Sequence, residues 1–247
     1  MGGASSKGAI VMSTPRSTER VVAGHQPHYC PWLGYVDKIG SVDVFCQIDV
    51  IPFEEQLFQH RNRIRAENPA GEAWLVVPVV GKNGDQLIMD VEIDNRVPWR
   101  EMHWESIDRS YARAPYFSAY APFLADLFTR EWGRLVDLNE YMLQGILGFL
   151  GIGTRLVRAS ALGLRLGKGN LLVDLCRELG ATTYVSGAGG NCPHLDESAL
   201  EGAGIIHRKQ RFTHPVYPQL HGEFMPRMAV LDLLFNCGPD AAQLLRG

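Results

Sequence analysis

The spacing of apolar residues changes twice along this chain. Short β-type runs come first, a helical period fills the middle, and the two alternate in the last third. Residues 21–23 and 42–48 read as strands, separated by a loop and a short helical piece. Residues 53–69 are charged and amide-rich, irregular or partly helical. Residues 74–80 are β-rich, and Pro78 marks an edge or a strand end. Gly81-Lys82-Asn83-Gly84-Asp85 is a turn cluster and residues 87–93 are β-rich again, which predicts a hairpin joining 74–80 to 87–93. Residues 99–113, 116–130 and 135–150 then read as helices, with Pro115 and Pro122 setting breaks near the ends of the middle one. The third has the clearest apolar face, Leu138, Met142, Leu143, Ile146, Leu147 and Leu150, closed by Gly151. Beyond it, 155–159, 182–186 and 204–207 read as strands, and 171–179 and 228–235 as helices.

Strands alternating with helices predict an α/β fold with a mainly parallel, Rossmann-like sheet, plus the β-hairpin and a helical insertion at about 99–150. No linker or composition break divides residues 21–247, so one domain is expected after a disordered leader at 1–20. Length and a 46% hydrophobic content suit a sizeable core. The formal charge of -3 argues against general nucleic-acid or anionic-membrane binding, leaving 60–65 and 207–211 as local basic stretches. No run is long enough for a transmembrane helix and the leader lacks a signal peptide's apolar core, so cytoplasm is the expected location. The five cysteines are widely spaced without a CxxC pair, which indicates neither a disulfide framework nor a thiolate zinc site.

The densest chemistry follows the first strand: Gly24-His25-Gln26-Pro27-His28-Tyr29-Cys30-Pro31-Trp32-Leu33-Gly34-Tyr35. Open α/β sheets place ligands at strand ends. His25-x-x-His28 has the spacing of the HxGH signature, with Pro27 in place of the glycine. A core histidine bonded to a carbonyl is the competing reading. Ser186-Gly187-Ala188-Gly189-Gly190-Asn191 follows a later strand and could form an anion-binding nest, or a turn that needs glycine's φ freedom. Cys192-Pro193-His194 invites a nucleophile or metal reading, yet sequence neighbours seldom assemble a triad. Asp49 ends the second strand and could serve as a base at the same edge, or as a cap. Arg61, Asn62 and Arg63 form the best candidate anion clamp, because guanidinium forks match phosphate and carboxylate.

Taken together, these segments resemble the WbqC-like family of bacterial proteins over about 21–247. The carriers are His25-Gln26-Pro27 with Tyr29, Pro31-Trp32 and Gly34-Tyr35; Asp49; Arg61-Asn62-Arg63-Ile64; Trp74 and Pro78; Ile93-Asp94-Asn95; and Trp99 with His103. Ala114-Pro115-Tyr116-Phe117, Leu138-Asn139, Tyr184-Val185-Ser186-Gly187 with Gly189-Gly190, Tyr217-Pro218-Gln219, Phe224-Met225-Pro226 and 231–236 continue the pattern. That family is associated with O-antigen and other biosynthetic gene clusters, which implies a biosynthetic role. His28, Cys30 and Cys192 fall outside its signature positions.

The expectation is therefore a group-transfer enzyme of glycan or natural-product assembly, acting on an activated, anionic substrate. A nucleotide sugar or an aminoacyl or acyl donor, free or carrier-linked, would fit. His25 and Asp49 are the catalytic candidates. Gln26, Tyr29, Trp32, Arg61, Asn62, Arg63, Ser186, Gly187, Gly189, Gly190 and Asn191 are the binding candidates. No metal ligand set is assigned, and cofactor and oligomeric state stay open. A Cys- or metal-dependent hydrolase or cyclase, or a non-enzymatic binding protein of a biosynthetic complex, are the alternatives.

Overall fold

The computed structural model describes residues 19–81, 85–167, 169–189 and 194–246. The elements are β1 (Val21–His25), α1 (Leu33–Gly40), β2 (Val44–Gln47), β3 (Arg61–Arg65), β4 (Glu72–Val76), β5 (Val79–Val80), β6 (Glu92–Ile93), α2 (Trp99–Tyr111), α3 (Phe117–Thr129), α4 (Leu135–Phe149), β7 (Arg155–Arg158), α5 (Leu171–Glu178), β8 (Thr183–Ser186), α6 (Glu197–Gly202), β9 (Ile206–Lys209), α7 (Val230–Cys237) and α8 (Ala241–Arg246). The central sheet is five-stranded and wholly parallel, in the order β7-β2-β1-β8-β9. The expected α/β class with a parallel sheet is the one found.

Strand order reverses beside β1: the chain moves outward to β2 and β7, then returns to β8 on β1's other side. This makes the carboxyl ends of β1 and β8 the topological switch point, where open sheets of this kind bind ligands. β1, β2 and β8 are short and almost wholly buried because helices cover both faces of the sheet. Gly24 shows how close one layer comes. A Cβ there would lie 2.8 Å from Ile48 Cδ1 and 3.2 Å from Leu175 Cδ2 of α5. On α4, the 3.6-residue period buries Leu135, Leu138, Met142, Leu143, Ile146 and Leu147 together.

Four expectations are corrected. The segment expected to be irregular holds β3, which pairs antiparallel with β4, so Trp74 faces Arg63 across a hairpin. The hairpin expected between 74–80 and 87–93 shrinks to β5 against β6, and residues 88–90 form a 3₁₀ turn. Residues 82–84 of its loop lie outside the described residues. Pro122 sits inside α3 instead of breaking it. The carbonyl one turn earlier belongs to exposed Ser118, where water can replace the missing N–H. Finally, Glu19 and Arg20, assigned to the leader, are tied to the sheet edge. Thr183 Oγ1 donates to Glu19, and Arg20 N–H donates to Thr182 Oγ1. The rest of the expected leader, 1–18, lies outside the described residues, of which no helix is long and apolar enough to cross a membrane.

Candidate functional site

His25 is the last residue of β1, so the sheet itself delivers its ring to the carboxyl edge. α1 then folds back along the sheet, and near its end Lys38 turns inward. The residue is only 3% exposed, and its Nζ donates to the Gly24 carbonyl at 2.9 Å. A Cβ on Gly187, just past β8, would lie 3.9 Å from that Nζ. One buried ammonium therefore stands between the ends of β1 and β8. Around it lie His25 and His28, their rings 4.7 Å apart and edge-on, with His28 stacked on Tyr35 at 4.6 Å. Gln47 ends β2 directly across from His25 and is buried.

Charge sets the protonation of this cluster. Burial, and then the Lys38 charge, hold His28 down at about 3. Burial first, then Lys38 and His28, hold His25 well below the ordinary histidine value, against the pull of the Gln26 carbonyl. Both imidazoles are thus neutral at pH 7. His25 Nδ1–H donates to the Gln26 carbonyl at 3.1 Å, which leaves Nε2 with its lone pair. Both ring nitrogens of His28, and both polar atoms of the Gln47 side chain, are buried without a protein partner. Buried polar atoms are normally paired, because an unmet one costs about 1–3 kcal/mol. Two such atoms on His28 beside the buried cation, and two on Gln47 across from His25, are the composition expected of a ligand site.

The other expected residues divide by location. Gln26 is half-buried; its Oε1 accepts from Gln59 Nε2 at 2.8 Å, and its carbonyl accepts from Tyr35 Oη at 3.2 Å. Tyr29 is fully buried and donates to His103 Nδ1 at 2.9 Å, while His103 Nε2–H donates to the Val76 carbonyl. That pair ties the first loop to α2 and β4. Trp32 packs edge-on against Phe212 and covers Gly34, where a Cβ would meet its ring at 2.3 Å. Asp49 is buried and accepts from both the N–H and the hydroxyl of Ser160, so it fixes the turn after β7. The hydrogen bond of His25 goes to Gln26 and not to Asp49.

Strand alternation sets Asn62 apart from Arg61 and Arg63, and each arginine has its own partner. Asn62 points inward and donates to the Cys30 carbonyl at 2.6 Å. Arg63 pairs with Glu72 at 2.7 Å, and Arg61 lies over the Trp74 ring at 5.1 Å while donating to the Gln56 carbonyl. Ser186 ends β8, followed by Gly187 and Gly189. Gly190, Asn191 and Cys192 lie outside the described residues. Cys30 is fully buried, and burial holds its thiol far above the ordinary range, which removes it as a thiolate nucleophile. Among the described residues, no group of three His, Cys, Asp or Glu side chains is placed to hold a metal.

Sequence reasoning did not single out Lys38 or Gln47, and it met His207 only as part of a basic stretch. Lys38 falls in the short helical piece after the first loop, and only the register of β1, β2 and β8 reveals where these side chains meet. Two cavities lie elsewhere. One of about 320 Å³, lined by Asp37, Gly40, Ser41, Gly151 and Arg246 among others, is at the sheet's opposite edge. One of about 220 Å³ lies at the amino ends of α5 and α6, lined by Asn170, His194 and Asp196 among others.

A second buried network holds the C-terminal segment in place. Asp232 of α7 accepts from Tyr111 and Tyr217 hydroxyls at 2.8 Å each, and from Gln219 Nε2 at 2.7 Å. Tyr111 Oη in turn accepts the Arg65 backbone N–H. The Arg65 guanidinium, 2% exposed, donates to the carbonyls of Gly71, Leu220, His221 and Glu223. These polar groups are mutually satisfied, and their role is to fix the segment after β9 across α7.

The sequence model of the WbqC-like protein family matches residues 26–244. A Mycobacterium tuberculosis (strain ATCC 25618 / H37Rv) protein named "Uncharacterized protein Rv1507c" is 36% identical over 230 residues, covering 91% of this chain and 97% of that protein. No solved structure matches the chain.

Proposed function

The chain belongs to the WbqC-like protein family, and from that premise we propose that it is a group-transfer enzyme of glycan or natural-product assembly. Its substrate is activated and anionic, a nucleotide sugar or an aminoacyl or acyl donor carrying phosphate, free or carrier-linked. The observation that carries this reading is the cluster of Lys38 and two neutral imidazoles at the switch point, with the unpartnered Gln47 amide across from His25 on the next strand. An anion there would gain a largely desolvated ammonium, where charge interactions exceed their strength in water. His28 and Gln47 would supply the donors that nothing in the protein uses.

His25 is the general base in this reading. Its ring is neutral, with Nε2 available, and a bound anion would offset the Lys38 field and raise its basicity. Asp49 acts one step removed, fixing the β7 turn through Ser160. Gln26 and Asn62 brace the loop that carries the histidines. Arg61 lies on the hairpin next to Phe58 and Trp74, whose rings stack at 6.3 Å, and Phe58 lies 5.8 Å from His28. These rings would flank the rest of a substrate.

A thermal-shift screen of pyrophosphate, nucleotides, nucleotide sugars and acyl thioesters tests the reading. A ligand held at a hundred times its Kd adds about 2.7 kcal/mol, which for a domain of this size is a rise of roughly 5–10 °C. The expected result is a rise with phosphate-bearing compounds that His25→Ala leaves intact and Lys38→Met removes. The assignment fails if no phosphate-bearing compound shifts the transition.

A further inference from the structure

Ser186 and His207 lie on neighbouring parallel strands. β8 and β9 pair with Tyr184 opposite His207, so strand alternation turns Ser186, Tyr184 and His207 to one face. On that face His207 Nε2 stands 2.9 Å from Ser186 Oγ. Its other nitrogen, Nδ1, stands 3.5 Å from Glu197 Oε1, at the start of α6. Lys209 Nζ also approaches that carboxylate, at 3.9 Å. The set is a hydroxyl, an imidazole and a carboxylate in series, drawn from three separate elements. Carboxylate contact at Nδ1 favours the tautomer with the proton there, so Nε2 accepts from the serine.

The surroundings suit an acyl centre. Ser186 is the last residue of β8, at the sheet edge where ligands bind, and it is followed by Gly187. Among the described residues, no backbone partner is taken by the N–H groups of Gly187, Ala188 and Gly189. Backbone N–H groups next to a nucleophile are the usual means of holding a developing oxyanion. Gly187 also borders Lys38, so the hydroxyl and the buried ammonium lie at the same strand end, on opposite faces of the sheet.

We propose that Ser186 is a nucleophile activated by His207 and positioned by Glu197, and that the donor is an activated acyl compound, a thioester or an acyl phosphate. This rests on the group-transfer reading above and narrows it to acyl chemistry. Ser186 Oγ forms the new C–O bond while its proton passes to His207 Nε2. The bond to sulfur or phosphate oxygen breaks, and the leaving thiolate or phosphate takes that proton from His207, which is left neutral for the second half. An amine or hydroxyl acceptor then attacks the acyl-serine, and its proton returns through His207 to Ser186 Oγ. No oxidant, reductant or metal is required for this balance.

The test is intact-mass analysis of the full chain after incubation with a fluorophosphonate ester, which marks activated serines covalently. The expected result is one adduct mapping to Ser186, absent in Ser186→Ala and formed at least ~100-fold more slowly in His207→Gln. Glu197→Gln slows labelling about tenfold while leaving the far-UV spectrum unchanged. Ser186→Cys supplies a second readout. Its thiol alkylates with iodoacetamide faster than the other thiols, and His207→Gln removes that advantage. Equal labelling of wild type and Ser186→Ala, no labelling of either, or rates indifferent to His207 would show that the serine merely satisfies the imidazole. Labelling reports on this inference alone, and the pyrophosphate thermal shift of the same wild-type protein reports on the anion site alone.

Discussion

Replacing His28 with phenylalanine should stabilise this protein, and more so in acid. The ring is 6% exposed, stacks on Tyr35, and has two nitrogens without protein partners. Phenylalanine keeps the plane and the stack and removes both polar atoms. At pH 7 relief of those unmet groups is worth about 1 kcal/mol, the low end of the usual range, because the larger ring takes back part of it. The acid term follows from linkage. The unfolded imidazole takes up a proton near pH 6.5, whereas the folded one resists until about pH 3. As pH falls through that window the unfolded state binds more protons, so wild-type stability is lost from pH 6.5 downward, by about 1.4 kcal/mol per unit. Between pH 7 and pH 5 His28 alone removes about 2 kcal/mol. His25 and His103, the latter held at about 4 mainly by burial, act in the same direction.

Urea unfolding of wild type and His28→Phe at both pH values measures the effect. The variant should lead by about 1 kcal/mol at pH 7 and about 3 kcal/mol at pH 5. A gap that does not widen in acid would refute the reasoning, because it would mean that His28 titrates alike in folded and unfolded chains. A variant gaining stability while losing pyrophosphate binding would also show the trade expected where polar groups are kept for a ligand.

Three further outcomes follow from the packing. Asp232→Ala leaves two tyrosine hydroxyls and the Gln219 amide without their acceptor, and the buried Arg65 guanidinium without a nearby opposite charge. It should cost about 3–5 kcal/mol, read as a fall in Tm; a loss below about 1 kcal/mol would contradict the network's role. Gly34→Ala gains helix propensity of about 1 kcal/mol but drives a methyl into the Trp32 ring. The net result should be a loss of about 1–2 kcal/mol with a changed tryptophan emission, and a gain in stability would contradict the contact. Tyr29→Phe removes the buried acceptor pairing of His103 Nδ1 and should cost about 1–2 kcal/mol, with unchanged affinity for pyrophosphate. A large affinity loss there would put Tyr29 in the site instead of behind it.

Much of the framework was legible because it rests on local periodicity. The helices at 99–111, 117–129 and 135–149 carry their 3.6-residue pattern openly, and β1 and β2 are apolar runs. β3 was not legible. Arg61-Asn62-Arg63-Ile64-Arg65 is almost wholly polar, and its buried members find partners far away in sequence: Asn62 at Cys30, and Arg65 at carbonyls of 220–223. Long-range satisfaction of this kind overrides strand propensity. The candidate site divides in the same way. The first loop and the β8 glycines stood out as local clusters of unusual residues. Lys38 did not, since only the convergence of Gly24 and Gly187 makes a helical lysine a buried cation. Ser186 and His207 were both noticed, but their pairing depends on the β8–β9 register. The basic stretch 207–211 holds a histidine turned toward that serine and a lysine and arginine turned to acidic partners.

Calorimetric titration of pyrophosphate into wild type and Lys38→Met tests the central claim most directly, because the anion site turns on one buried ammonium. Two unit charges about 4 Å apart at an effective dielectric near 20 interact by about 4 kcal/mol. Discounting half for relaxation leaves about 2 kcal/mol, a loss of affinity on the order of 30-fold. The account predicts micromolar to millimolar binding at one site in the wild type, weakened at least that much in a folded Lys38→Met protein. Equal affinity in the two proteins would contradict it.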